Sequence, residues 1–331
     1  MSSVVYHRRV GMTLVELLVV ITILGVLALA VLPTFANSSD ARRTREAART
    51  VSSYIAKAQS RAIGRTEWAG FWLVPPTTNL TASFALDLFL ADVPQVFRGD
   101  LLSTVVSGSF NSSVGFAIAT GGTIGGVITT GSLYGSTVSG TSGDLVRFDG
   151  KGPWFNCATA NLVTLRSDVN QTVLNTAWPT AAPTTHTFEL LRQPIRAGSP
   201  LSLADGRCVD VYWSGQGNAS SYMWFGASPG NVAVLFDGTG RLRQLIANSS
   251  RISIKGPVFL LIGRSDRAGQ SYASLSSTDD SLGANWQYGD SFWIAIDPLT
   301  GVAKVAECTP GATNPVTSQT YIRSEILATG R

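Results

Sequence analysis

Two histidines and three cysteines are all that this 331-residue chain contains of the residues most metal and redox centres need. The cysteines, Cys157, Cys208 and Cys308, lie far apart and form no CxxC pair, which removes a locally spaced zinc or dithiol site. They allow one disulfide in three alternative pairings, or three small buried thiols, and spacing does not choose among these. His7 sits in a basic N-terminal stretch, and His186, in PTTHTFEL, has no ligand or catalytic partner at recognisable spacing. His186 therefore reads as a strand histidine. Charge is also sparse, at 14% of residues. Residues 34–66 carry seven Lys or Arg against two acids, so by difference the remainder after residue 66 holds about −2 of the formal net charge of +4. A general polyanion-binding surface is not expected from that balance.

Three further motifs are weak. GGTIGG, Gly121 to Gly126, lacks the GK[ST] ending and the following helix of a phosphate loop, and reads as low-complexity loop. The acidic stretch around Asp279, Asp280 and Asp290 offers oxygen ligands for calcium but does not follow the EF-hand pattern, so an ordinary polar loop is expected. In GRLR, Gly240 to Arg243, a strand would turn Arg241 and Arg243 to one face and Leu242 to the other. Such a pair could touch phosphates, or could simply be the solvated side of a hairpin. No cofactor and no enzymatic residue set emerges from the chain.

What the chain does have is one long apolar run. From Met12 to Leu32 the residues are mostly Leu, Val and Ile, with no charge but Glu16 and no Pro. That is the length and composition of a membrane segment. The basic stretch MSSVVYHRRVG before it would stay cytoplasmic, with the bulk of the chain exported. Pro33 marks an expected kink or local loosening. Beyond it Val51, Tyr54, Ile55, Ala58 and Ala62 follow one helical face, with the basic residues mainly on the others, and Gly64 supplies a stop. The pattern predicts one long helix from about Thr13 to Ile63, amphipathic in its second half.

After Gly64 the period changes. EWAGFWLVP, CVDVYWSG, SYMWFGAS, NVAVLFDG, RISIKGPVFLLIG and SFWIAIDP read as strands, with hairpins turning at DGTG and DPLTG. The predicted class is α+β, a long helix packed on an antiparallel sheet or sandwich. The Gly/Ser/Thr-rich tract at about 102–143 reads as a flexible or weakly paired insertion, and SQTYIRSEILA as a short C-terminal helix.

An acid inside an apolar run costs about 2.5–3.5 kcal/mol at a helix centre, so Glu16 asks for a partner. The surrounding pattern resembles that of the type IV pilins and pseudopilins: Arg8, Arg9 and Gly11, then MTLVELLVVITILGVLALAVLP, with Glu16 fifth after Gly11 and Pro33 twenty-second. Met12 stands where Phe is usual. The helix AARTVSSYIAKAQSRAI followed by strands is similar to the GspH/FimT group of minor pseudopilins, a likeness that covers about residues 11–75 and leaves 77–185 as an insertion outside it.

The resemblance implies a leader, 1–11, cut after Gly11 by a prepilin peptidase that also N-methylates Met12. An assembly helix, 12–33, its amphipathic continuation, 34–65, and a β-rich periplasmic domain, 66–331, would follow. It implies that Glu16 pairs with the charged Met12 amine of a neighbouring subunit, which offsets the burial cost and sets register. Expected partners are other pseudopilins, the peptidase and the inner-membrane assembly platform, with a secreted protein as a further candidate. The resulting expectation is a minor pseudopilin of a type II secretion-like system. The runner-up is a FimT-like minor pilin that takes up DNA through Arg241 and Arg243, although nucleic acid is not the expected partner. Two other readings of the N-terminus are a secretory signal cut near PTFAN and a plain signal anchor.

Overall fold

The structure, a computed structural model, describes residues 13–76, 83–98, 106–111, 115–118, 144–157, 162–164, 184–203, 206–226, 230–247, 250–271 and 283–329. The leader, Gly11, Met12, GGTIGG, Asp279 and Asp280 lie outside the described residues.

Helix α1 runs Leu14–Ala62 as one element through Pro33, with Thr13 as N-cap and Ile63 as C-cap. Gly64 follows at φ +80°, the left-handed residue that commonly ends a helix. Its second half buries the face expected from the sequence: Val51, Ile55, Ala58 and Ala62 are fully buried and Tyr54 nearly so, and Ala48 and Thr44 extend the stripe. Each fully buried Val or Ile contributes about 1.5–3 kcal/mol. Among the described residues no helix is long and apolar enough to cross a membrane. The side chains of 28–39, within α1, lie outside the described residues.

The strands follow in chain order. First come β1 (Ala69–Val74), β2 (Phe84–Ala85) and β3 (Asp87–Asp92). Next are β4 (Val106–Asn111), β5 (Gly115–Ile118), β6 (Leu145–Phe148), β7 (Lys151–Cys157), β8 (Leu162–Thr164), β9 (Thr184–His186) and β10 (Phe188–Leu191). Then come β11 (Ile195–Ser202), β12 (Arg207–Gln216), β13 (Met223–Trp224), β14 (Val232–Phe236), β15 (Leu242–Ala247) and β16 (Ser250–Ile252). Last are β17 (Val258–Arg264), β18 (Phe292–Ile296) and β19 (Ala303–Glu307), then helices α2 (Pro315–Ser318) and α3 (Thr320–Thr329). They form three antiparallel sheets: β11-β3-β1-β14-β15-β16, then β10-β6-β7-β8-β5-β4-β9, then β13-β12-β17-β18-β19 with β2 beside β12.

The first and third sheets both pack on α1, and each has its other face covered too. In β1, Phe71 and Leu73 join the cluster with α1, while Trp72 and Val74 point to the opposite side against Leu145 and Leu191 from the seven-stranded sheet. In β18, Ile294 and Ile296 face α1, while Trp293 and Ala295 pack with Trp286 and, from α3, Ile322. Continuous apolar runs such as VFLLIG and FWIAI are what strands buried on both faces require.

The class expected from sequence, α+β with antiparallel sheets, agrees with this architecture. Within the Gly/Ser/Thr-rich tract, Val106–Asn111 and Gly115–Ile118 pair in register from Gly108↔Ile118 to Asn111↔Gly115 and join the seven-stranded sheet. Residues 119–143 lie outside the described residues.

Candidate functional site

Two ends of α1 carry the residues of interest. At the N-terminal end, Thr13 and Glu16 form a reciprocal capping box. The Thr13 backbone N–H donates to Glu16 Oε2 at 2.9 Å, Thr13 Oγ1 donates to the same oxygen at 3.0 Å, and the Glu16 N–H donates to Thr13 Oγ1 at 3.3 Å. The cap satisfies orphan N–H groups of the first turn and holds the carboxylate beside the helix N-terminus. From there to Leu27 the helix is apolar and uncovered: Leu14 is 80% exposed and Leu27 55%. Apolar surface on that scale is not left to water, so this half of α1 is an interaction surface.

At the C-terminal end, α1 is tied to the β-sheets by charge and amide contacts. Arg61 makes a bidentate pair with Asp92 of β3, at 2.8 and 2.6 Å, and Arg65 adds a contact at 3.4 Å. The Arg61 guanidinium holds the Asp92 carboxyl below its usual range. Closer to the middle of the helix, Arg45 reaches Glu307 at 2.7 Å, and the buried Arg207 reaches Asp40 at 2.8 Å. Gln59 donates to the carbonyls of Gly240 at 3.0 Å and Thr300 at 2.7 Å, pinning both predicted hairpin turns to the helix. Gly64 N–H donates to Gly238 O at 3.0 Å, and a Cβ on Gly238 would stand 2.3 Å from Arg65 O.

The GRLR residues stand on this platform. Leu242 is buried while Arg241 and Arg243 are exposed, the alternation a hairpin edge predicts. Asp237 caps the turn, its Oδ1 accepting from Thr239 N–H at 2.9 Å, Thr239 Oγ1 at 2.6 Å and Arg241 N–H at 3.1 Å. The Arg243 guanidinium lies 5.2 Å from the centroid of the Trp68 ring.

Other expectations resolve individually. His186 Nδ1 lies 2.8 Å from Asp149 Oδ2, on strand β9. Asp290 pairs with Arg267 at 3.1 Å, so its charge is already matched, and no metal-competent group of His, Cys, Asp or Glu occurs among the described residues. Cys208 and Cys308 are separate buried thiols, their ionisation pushed up by burial, which removes the pairing between these two. The Cys157 side chain lies outside the described residues.

Sequence reading missed a buried carboxylate. Asp210 of β12 is fully buried and accepts from Asn285 Nδ2 at 3.0 Å and the Gly269 N–H at 3.3 Å, so it holds together β12 and two loops. Burial pushes its carboxyl up to about 7, with these donors pulling the other way. A lone Asp in an aromatic strand, CVDVYWSG, was the available signal.

Compared with known proteins, residues 8–32 match the family described as the prokaryotic N-terminal methylation motif. No curated protein and no solved structure matches the chain. The match spans Gly11, Met12, Glu16 and most of the exposed apolar half of α1. This chain therefore carries a type IV pilin-like N-terminal signal, which implies processing by a prepilin peptidase, a membrane-anchored N-terminus and assembly with other pilin-like subunits.

Proposed function

We propose that this chain is a minor pseudopilin of a type II secretion-like system, a non-enzymatic subunit of a short periplasmic filament nucleated at the inner membrane. The carrying observation is the uncovered apolar half of α1, Leu14 to Leu27, projecting from a helix whose second half is fixed on two sheets. Before assembly, lipid covers that surface in a single pass; in the filament, the helices of neighbouring subunits do. Glu16 then exchanges its own cap for the charged Met12 amine of a neighbour, and the pairing offsets the cost of a buried carboxylate. A long helix packed on antiparallel sheets supports the GspH/FimT-like reading. The β-rich part presents its surface to other pseudopilins or to an exported protein.

The reading is tested by expressing the chain together with a pseudopilin set, peptidase and assembly platform. Membrane-extracted chain should crosslink to other pseudopilins through Leu17→Cys, and the crosslinks should vanish with Gly11→Ala. Absence of any crosslink in the intact system contradicts it.

The second reading, a DNA-uptake minor pilin, draws on the exposure of Arg241 and Arg243. It requires a salt-sensitive DNA affinity of the full chain in micelles that falls when both arginines become Ala. No affinity at low salt disposes of it.

A further inference from the structure

Beside the GRLR hairpin lies a cleft of about 820 Å³, within the range of small-ligand sites. It sits where the first sheet, the seven-stranded sheet and the β18–β19 turn meet, at the C-terminal end of α1. Measured along a 49-residue helix, that is about 70 Å from Leu14, at the pole away from the apolar segment.

Two half-buried indoles line it, Trp68 before β1 and Trp154 on β7. Each is braced by a guanidinium. Arg243 stands 5.2 Å from the Trp68 ring centroid and Arg147 stands 4.8 Å from that of Trp154. Arg147 is itself ion-paired to Glu189, which Arg98 also holds at 2.9 Å. The Trp154 ring is thus held by a charge network as well as by packing.

The polar groups of the cleft are of both kinds. Glu67 and Asp237 bring carboxylate acceptors, Arg241 brings guanidinium donors, and Gln244, Thr66 and Ser253 can do either. A phosphodiester offers acceptors only, so it suits Arg241 but brings no donor to either carboxylate. An all-apolar ligand would displace water from the exposed Arg241 guanidinium and offer it no acceptor. Sugar rings meet both conditions: their hydroxyls donate and accept, and their C–H faces lie flat on indole.

From this juxtaposition we propose that the cleft binds an oligosaccharide of two or three rings, stacked on Trp68 and Trp154, with Arg241 placed to favour a sugar carboxylate. The inference goes beyond the assembly role and stands on the cleft alone.

The test uses the full chain in micelles of a detergent without a sugar headgroup, so the detergent cannot compete. Maltotriose, cellotriose, chitotriose, trigalacturonate and a short single-stranded oligonucleotide are titrated by calorimetry and tryptophan fluorescence. Saturable one-to-one binding of at least one trisaccharide is expected. Trp154→Ala should weaken it about tenfold and Trp154→Phe, which keeps a flat face, by no more than about threefold. Arg241→Ala, at an exposed position that leaves the fold intact, should weaken trigalacturonate more than any neutral sugar. Failure of every trisaccharide to bind overturns the proposal. So does binding unchanged by both Trp154→Ala and Trp68→Ala in chains with parental circular dichroism, or binding of the oligonucleotide alone.

Discussion

Gln59 donates its side-chain amide to the Gly240 carbonyl at 3.0 Å and, in the same pose, to the Thr300 carbonyl at 2.7 Å. One side chain in the last turn of α1 thereby fixes two hairpin turns from two different sheets. The helix end, the GRLR hairpin and the β18–β19 turn are tied together by it.

Gln59→Ala should cost about 1–2 kcal/mol, since two carbonyls at the helix–turn junction lose their donor. Gly238→Ala should cost more, about 2–3 kcal/mol, because its Cβ meets the Arg65 carbonyl and backbone must shift. Urea unfolding of the two variants checks both values and their order.

Glu16 performs two tasks that a single substitution can separate. Glu16→Gln keeps an oxygen for the Thr13 N–H, so the capping box survives, but removes the charge that an adjoining amine needs. Glu16→Gln should therefore insert into membranes normally and lose filament incorporation about tenfold or more. Glu16→Ala should lose the cap as well. Equal incorporation of Glu16→Gln and the parent, measured by crosslinking, contradicts the charge-pairing account.

Asp92 gives a stability term with a definite pH sign. Its carboxyl is held below the usual range by Arg61, so the term is fully present above the ordinary carboxylate value near 4 and is lost as pH falls through the lower folded value. Asp92→Asn should cost about 1–2 kcal/mol at neutral pH, allowing for solvent screening, and almost nothing in acid. Thermal midpoints of parent and variant across roughly pH 2 to 7 check the convergence.

Asp210 carries the opposite sign. A folded-state value raised to about 7, above the ordinary 3.8, means its contribution is greatest in acid and declines as pH rises toward 7. The slope is at most about 1.4 kcal/mol per pH unit. Asp210→Asn should flatten stability between roughly pH 4 and 7. An unchanged slope in the variant means that the buried carboxyl does not titrate there.

How far the sequence foretold this depends on whether a residue acts through a period or through a meeting of distant segments. Val51, Tyr54, Ile55, Ala58 and Ala62 are legible because burial at 3.6-residue spacing is local, and NVAVLFDGTGRLRQLI announces its own hairpin. The strands VSGSFN and TTH carry no such pattern, so their place in the seven-stranded sheet is not legible in the sequence. Gln59, Asp210 and Trp154 acquire meaning only from partners more than fifty residues away in the chain or from a neighbouring sheet. At the N-terminus, by contrast, the candidate site is a linear motif, so RRVGMTLVE could be read directly.

The central claim is that the chain is processed and assembled as a pilin-like subunit. Intact mass and N-terminal sequencing of the membrane-bound protein, with and without Gly11→Ala, test it most directly. The account predicts a chain beginning at N-methylated Met12 and an uncut Gly11→Ala variant. A chain that begins at Met1 in the presence of the peptidase, or near Asn37, contradicts it.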